Sequence, residues 1–303
     1  MSEAPARRPR WVSALLVLLP LWLLASGAVA VWFALHREKQ AERIEQERFT
    51  QTVSAALIAD DLGKLVGVIG ERHGGSEQAA KNLSRAASMI EGLLGPSNTG
   101  YTIRRERGPA DWPLIRVSLP GKSLDAPAVW VLSSYDSRPG SPGAEANATG
   151  LAATLAAAQA MAGDKPAAGV HFVFLPHAND PEAPLLETAA KFKEMAGPAP
   201  KAVLCLEAMG AGTELWLSSR DTAAAPLALA GGLGSVRGAE VVCLGEDVDL
   251  ASVLFEMGLP AVRVATRPVV TADEPDDKPP SAANVAASAG RLVELIRRCA
   301  RER

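Results

Sequence analysis

The chain has 303 residues, 48% of them hydrophobic and 21% charged, a balance that excludes a disordered or fibrous protein. Its 31 Lys and Arg residues against 34 Asp and Glu give a net charge of −3, so it lacks the basic field that gathers nucleic acid, and we expect no nucleic-acid partner. Cys205, Cys243 and Cys299 are too few for a disulfide scaffold or a Cys-rich zinc site. We expect each to be a small buried side chain, and pairing of Cys205 with Cys243 stays open.

After the first ten residues comes a stretch of 25 residues without a charge, residues 11–35. At a rise of about 1.5 Å per residue such a helix crosses a bilayer core of about 30 Å. Three arginines in residues 1–10 predict a cytoplasmic tail there and an extracytoplasmic main domain. Ala28-Val29-Ala30 has the form of a signal-peptide cleavage site, which is the alternative. Because the apolar run is long and continues past that point, we favour an uncleaved single-pass anchor, with the lipid bilayer as a partner.

After the anchor, residues 36–50 carry dense charge of both signs and contain neither Gly nor Pro. This composition predicts a solvated juxtamembrane stalk. The folded domain is then predicted over residues 51–303, long enough for one large core.

Helical and strand-like patterns alternate along this domain. Helical spacing is predicted over residues 52–68, 78–94, 146–162, 182–194, 223–230, 250–257 and 282–301. Strand-like runs are predicted over residues 101–104, 114–119, 128–133, 170–175, 202–206, 214–217, 241–244 and 261–265. Several of these runs are apolar on both faces, as in strands covered by helices on each side. The sequence therefore predicts an α/β protein, a three-layer α/β/α sandwich with a mostly parallel mixed central sheet, preceded by one transmembrane helix.

Ligand sites of such sheets lie at the carboxyl ends of the central strands. Three segments occupy these places: Ser134-Tyr135-Asp136-Ser137 continuing to Pro142-Gly143-Ala144-Glu145-Ala146-Asn147-Ala148-Thr149-Gly150, then Pro176-His177-Ala178-Asn179-Asp180, then Leu206-Glu207-Ala208-Met209-Gly210. They resemble the co-catalytic zinc metallopeptidases of family twenty-eight, which include bacterial aminopeptidases and relatives of glutaminyl cyclase. Members of that family typically have His-Tyr-Asp-Ser, Pro-Gly-Ala-Asp-Asp-Asn-Ala-Ser-Gly, Glu-Glu and Leu-Asp-Met-Ile-Gly at these places. The resemblance extends from about residue 60 to the end of the chain.

The resemblance implies two zinc ions and a Glu general base, but most of the implied positions hold other residues. The first His falls on Ser134 and the bridging Asp on Ala146, whereas the general base and its neighbouring ligand fall on Ala178 and Asn179. The remaining Asp falls on Glu207, the only acidic residue of the set, and the last His falls near residues 270–271. Zinc is thus the cofactor that the family implies but the residues do not support. We assign no catalytic residue, no metal ligand and no cofactor.

Other polar residues on the same loops leave alternatives open. One alternative is a single metal ion held by His177, Glu207 and either Asp180 or Asp136, and we expect Glu145 to face the same cleft. Asp136 has a structural alternative, bonding to backbone amides at the start of the next helix, and Glu207 has another, pairing with Arg138. No Gly-x-Ser-x-Gly motif surrounds a serine, which disfavours a hydrolase built on Ser134 and His177.

An acidic, proline-rich loop, residues 273–280, replaces the region of the family's last ligand, and we expect it to pack loosely. The composition resembles that of bacterial proteins. We predict a membrane-anchored, extracytoplasmic, peptidase-like domain without catalytic activity that binds a peptide or a protein partner in its cleft. The alternative is an active metallo-aminopeptidase, or another amide hydrolase, with a rearranged metal site.

Overall fold

The computed structural model describes residues 22, 26–27, 29, 31–33, 53–123, 126–197, 199–219, 239–243, 249–271 and 273–301. The chain divides into two compact units, residues 1–48 and 49–303. The predicted stalk and the predicted helix over residues 223–230 lie outside the described residues.

In the first unit the described residues are helical and exposed. They include the apolar side chains of Trp22, Val31 and Phe33, which are 68%, 61% and 56% exposed. None of the described helices combines the length and the apolar character needed to cross a bilayer. Most of the predicted anchor, residues 11–35, falls outside the described residues.

The second unit alternates helices and strands in the order that the sequence predicts. Its helices are α1 (Ala55–Leu62), α2 (Glu77–Leu94), α3 (Pro96–Thr99), α4 (Thr149–Ala160), α5 (Leu185–Ala196), α6 (Leu250–Glu256) and α7 (Ala282–Cys299). Its strands are β1 (Arg104–Arg107), β2 (Pro113–Leu119), β3 (Val129–Ser134), β4 (Val170–Leu175), β5 (Ala202–Leu206), β6 (Leu215–Ser219), β7 (Ala239–Cys243) and β8 (Ala261–Ala265).

Two helices depart from the predicted pattern by including π-helical turns. One such turn, Gly63–Ile69, continues α1, and another, Ala144–Ala148, leads into α4. The first strand also lies later than predicted, since β1 covers residues 104–107 rather than 101–104. Tyr101 is instead buried, and its hydroxyl donates to the carbonyl of Ala158 at 2.8 Å.

The eight described strands form one sheet in the order β1-β2-β4-β3-β5-β8-β6-β7. The four central strands β4, β3, β5 and β8 are mutually parallel, whereas β1 with β2, β2 with β4 and β6 with β8 are antiparallel. This is the mixed, mostly parallel centre that the sequence predicts.

Alternating side chains of the central strands feed two hydrophobic clusters, one on each face of the sheet. Val131 packs in the cluster that includes α1, α2, α4 and α7, whereas Trp130 and Leu132 pack in the cluster that includes α5 and α6. The three-layer α/β/α prediction is therefore confirmed. Cys205 and Cys299 are free thiols, buried as expected, and the side chain of Cys243 lies outside the described residues.

Candidate functional site

The carboxyl ends of the central strands meet at one edge of the sheet. In the parallel register Ser134 lies opposite Leu175, Ser133 opposite Leu206, and Leu206 opposite Val264. The loops that follow these strands are therefore neighbours, and they carry the residues singled out in the sequence. We call this edge the cleft edge.

Ser134 lies at the centre of a neutral hydrogen-bond network. The Asn179 amide nitrogen donates to the Ser134 hydroxyl oxygen at 2.6 Å, and the Asn147 amide nitrogen donates to the same oxygen at 2.9 Å. Asn147 also donates to the Ser134 carbonyl at 2.7 Å. Amides thus surround a hydroxyl at the place where the resemblance implies a metal ligand.

Asp136 is fully buried, and backbone donors occupy its carboxylate. One oxygen, Oδ2, accepts from the N–H groups of Ala178, Asn179 and Asp180 at 2.9, 2.8 and 3.0 Å. The other accepts from the side-chain amide of Asn179 at 3.2 Å. Asp136 thus does bond to backbone amides, but the expected location was wrong, because these amides belong to the loop after β4 and not to the next helix.

Arg72 connects this network to the start of the domain, a role that the sequence did not reveal. Its buried guanidinium donates to the Asn147 side-chain oxygen at 2.8 Å, to the carbonyl of Tyr135 at 3.0 Å and to the carbonyls of Leu65 and Gly70. Burial lowers the pKa of Arg72 to about 10, against the opposing effect of Asp136 and Asp276. The side chain therefore remains charged at neutral pH and holds the cleft edge to the π-helical turn after α1.

Asp276, from the proline-rich loop, caps the turn that leads into α4. Its side chain accepts from the N–H groups of Glu145 at 2.5 Å and Ala146 at 3.3 Å, and its carbonyl accepts from Ala144 N–H at 3.1 Å. A carboxylate at the N-terminus of a helix satisfies donors that have no partner within the helix. The expectation that this loop packs loosely is wrong at its centre, since Asp276 is only 5% exposed.

The carboxylate of Glu145 lies beside the loop after β5, and one of its two oxygens accepts a hydrogen bond from that loop. Its Oε1 accepts from the N–H of Gly210 at 3.0 Å, whereas its buried Oε2 has no hydrogen-bond partner in the described part of the chain. Burial raises the pKa of this carboxyl, and the Gly210 N–H and Arg267 oppose that shift.

Glu207 pairs with a buried arginine of the neighbouring strand. The Nε of Arg263, in β8, donates to Glu207 Oε2 at 2.8 Å, and its nearest contact to the Asp249 carboxylate is 3.9 Å. The suggested pairing with Arg138 is thus wrong, because the Arg138 guanidinium donates to the carbonyls of Thr271 and Glu274. Burial raises the pKa of the Glu207 carboxyl, and the Arg263 guanidinium opposes that shift without reversing it.

His177 and Asp180 stand apart from Glu207 in their contacts. His177 is buried, its Nε2 has no hydrogen-bond partner among the residues that the structure describes, and burial lowers its pKa. The carboxylate of Asp180 accepts from the N–H of Glu182 at 3.0 Å. Within the described residues no three His, Cys, Asp or Glu side chains come together in a way that would hold a metal ion, so the rearranged site of His177, Glu207 and Asp180 or Asp136 is not assembled there.

The donor groups at the implied ligand positions do not fit a pair of zinc ions. Zinc sites in proteins are built from thiolates, imidazoles and carboxylates. Ala146 and Ala178 offer only methyl groups, while Ser134 and Asn179 bond to each other. Glu207 offers a carboxylate, but the guanidinium of Arg263 already neutralises it.

Comparison with known proteins connects this geometry to a family. Residues 115–229 match the model of peptidase family M28. The resemblance is confirmed. No curated protein sequence matches the chain at a significant level.

Solved structures of M28-like proteins share the fold of this domain. The LapA aminopeptidase of Legionella pneumophila superposes with a TM-score of 0.62 at 14% identity, over 88% of this chain and 75% of that one. The glutaminyl cyclase of Tannerella forsythia gives a TM-score of 0.60 at 14% identity, over 81% and 99%. A zinc aminopeptidase from Bacillus subtilis gives 0.62 at 11% identity, over 84% and 96%. At these identities the likeness shows the fold alone.

Proposed function

We propose that this chain is a membrane-anchored, extracytoplasmic M28-like domain without peptidase activity, and that its cleft edge binds a peptide or a protein partner. The observation that carries the proposal is the network around Ser134. Neutral amides and a hydroxyl satisfy one another at 2.6–2.9 Å at the place where the family resemblance implies zinc ligands.

Two further contacts support the loss of metal chemistry. The carboxylate of Asp136 is occupied by three backbone donors, and that of Glu207 by Arg263. Releasing Asp136 for a metal would leave buried backbone donors without an acceptor, at a cost of about 1–3 kcal/mol for each unsatisfied group, and releasing Glu207 would break its ion pair with the buried Arg263. Metal binding would have to exceed that cost with few ligands.

The position of the general base supports the same conclusion. Ala178 has no side-chain group that takes a proton from an attacking water. The neighbouring His177 is buried, and its lowered pKa disfavours the protonated form. A peptide held at this edge would therefore meet no general base at the position where the family resemblance implies one.

The experiment that tests the proposal measures metal content and turnover together. The full-length chain, purified in detergent and dialysed against buffer containing zinc, is analysed by elemental mass spectrometry and assayed with aminoacyl-anilides and short peptides. We expect zinc far below one ion per chain, no release of the anilide above background and intact peptides. The Bacillus subtilis zinc aminopeptidase, treated in parallel, serves as the positive control.

Glu207→Ala separates contaminating from intrinsic activity. Trace turnover that persists unchanged in this variant would come from a contaminant and would leave the proposal standing. Stoichiometric zinc together with turnover that depends on Glu207 would contradict it and would indicate an active metallo-aminopeptidase or amide hydrolase.

A further inference from the structure

A second concave site lies at the edge of the sheet opposite the cleft edge. A cavity of about 880 Å³ opens where β3 and β4 begin and β2 ends, and the charged and polar residues lining it include Arg104, Arg116, Ser118, Asp164, Lys165 and His171. This volume is in the range of small-molecule sites, about 300–1,000 Å³. The length of β4 places it roughly 15–20 Å from Ser134.

Two backbone segments in close contact form one wall of the cavity. A Cβ added to Gly121 would lie 2.5 Å from the backbone nitrogen of Gly169, so only glycine fits there. Next to this contact, the N–H of Lys122 donates to the carbonyl of Pro166 at 2.9 Å, and the N–H of Ser123 donates to that of Ala167 at 3.2 Å. The wall is therefore fixed by backbone contacts before any ligand binds.

Positive charge is concentrated in this cavity. Arg104 and Arg116 lie directly opposite each other across β1 and β2, an arrangement of like charges that destabilises a strand pair. Glu106 pairs with Arg116 at 3.0 Å and relieves part of the repulsion. In the described part of the chain, Arg104 and Lys165 have no carboxylate within ion-pair distance, and Asp164 is already held by Arg297 at 2.8 Å.

Uncharged hydrogen-bonding groups lie beside these cations. His171 Nδ1 is 2.8 Å from the hydroxyl oxygen of Ser118, and its ring packs on Trp130 with centroids 4.3 Å apart. Burial, helped by Arg116, lowers the pKa of His171 to about 4, so the imidazole is neutral at neutral pH. The buried Nε of Arg116 has no acceptor among the described residues.

We propose that this cavity binds the carboxylate or phosphate group of a small molecule, held between the guanidinium groups of Arg104 and Arg116. A bound oxyanion would offset the repulsion between the two arginines. Guanidinium groups bind both kinds of oxyanion through paired N–H donors, which explains why arginine suits this place. The site shares no residue with the cleft edge, so it is independent of the proposed loss of peptidase activity.

Titration calorimetry of the full-length chain in low-salt buffer tests the proposal, with inorganic phosphate and citrate as probes in separate experiments. We expect at least one of them to bind and Arg104→Gln to weaken that binding at least tenfold. Arg107→Gln is the matched control, because Arg107 is an exposed arginine of the same strand that does not line the cavity and pairs with Asp111. It should change the affinity by less than twofold.

The comparison of probes and variants decides the outcome. Tighter binding of phosphate assigns a phosphate ligand, and tighter binding of citrate assigns a carboxylate. Absence of binding by both probes at millimolar concentration overturns the proposal, as does an equal loss in Arg104→Gln and Arg107→Gln, which would indicate only nonspecific attraction. Because Arg104 is exposed, we expect Arg104→Gln to fold, which keeps the test valid.

Discussion

The carboxylates at the cleft edge differ in their partners, and the partners decide what each one does. Asp136 and Asp276 accept hydrogen bonds from backbone N–H groups, and Glu207 pairs with Arg263. The sequence showed which loops hold these acids, because motif and strand order place them at one edge. It did not show the partners, because Arg263 lies within an apolar strand pattern and Asp276 lies 131 residues from the N–H it caps.

Among the described residues, no backbone N–H group or arginine donates to the carboxylate of Asp61. Its burial therefore predicts that the stability of the domain depends on pH. It lies on the buried side of α1, and burial raises its pKa from 3.8 to about 6, with Lys64 opposing the shift. An acid whose pKa is raised in the folded state contributes stability that is fully present below about pH 4 and is lost as the pH rises through about 6.

Asp61→Asn should therefore be more stable than the wild type at pH 7, by about 1–2 kcal/mol after allowance for solvent screening, and equally stable at pH 4. Urea unfolding at several pH values measures this difference. Asp60→Asn is the control, since Asp60 is exposed and pairs with Lys64 at 2.5 Å. A difference between wild type and Asp61→Asn that does not change from pH 4 to pH 7 would contradict the assignment.

Helices and strands were predicted well where their side-chain patterns are long and apolar. The predicted bounds match those of β4, β5 and β8. Helix α2 ends at Leu94 as predicted, just before Gly95 and Pro96, two residues that do not continue a helix well. The sequence did not predict the π-helical turns, because the same spacing of apolar residues is compatible with an α-helix and with a helix that contains one wider π-helical turn. Strand β1 was misplaced because its Arg-Arg-Glu-Arg sequence has no apolar alternation.

The surroundings of two helical glycines, Gly150 and Gly290, predict that substitution by alanine changes the stability of the domain in opposite directions. In α4, a Cβ on Gly150 would lie 3.0 Å from the Leu206 carbonyl oxygen and 3.1 Å from Glu207 Cα, so the helix approaches β5 closely there. In α7, a Cβ on Gly290 would meet nothing within 4 Å. Overpacking costs about 1–3 kcal/mol, whereas alanine in an open helical position gains about 0.5–1 kcal/mol.

We therefore expect Gly150→Ala to lower the melting temperature by about 3–10 °C and Gly290→Ala to raise it by about 2 °C, for a domain of this size. Differential scanning calorimetry of the two variants checks both signs. If Gly150→Ala melts at or above the wild-type temperature, α4 does not pack against β5 as closely as described.

The sandwich architecture follows from the order of elements, whereas its long-range links do not. Alternating helices and apolar strands leave few topologies, and the parallel central strands with helices on both faces are the expected one. Arg72 bonds to Asn147 across 75 positions of the chain. A contact of this kind depends on side-chain geometry after folding, and nothing in local periodicity reveals it.

The N-terminal segment gives a prediction about how the chain is held in the cell. We expect the full-length chain, with residues 11–35 intact, to stay in the membrane fraction after washing at alkaline pH. Replacing Leu23 and Leu24 with arginine should release it, because charges at the centre of a span are costly. N-terminal sequencing provides the complementary readout, since a mature protein that begins at Val31 would establish the cleaved signal peptide.

The cap that Asp276 places on the turn before α4 has a consequence for biogenesis. An element built near the middle of the chain receives its stabilising carboxylate only after nearly all of the polypeptide has been synthesised. During synthesis the N–H groups of Ala144, Glu145 and Ala146 therefore lack this acceptor until the last stretch of the chain has emerged. A chain that ends before residue 276 would lack this cap. We therefore expect it to be sensitive to proteases, even when all the strands of its sheet are present.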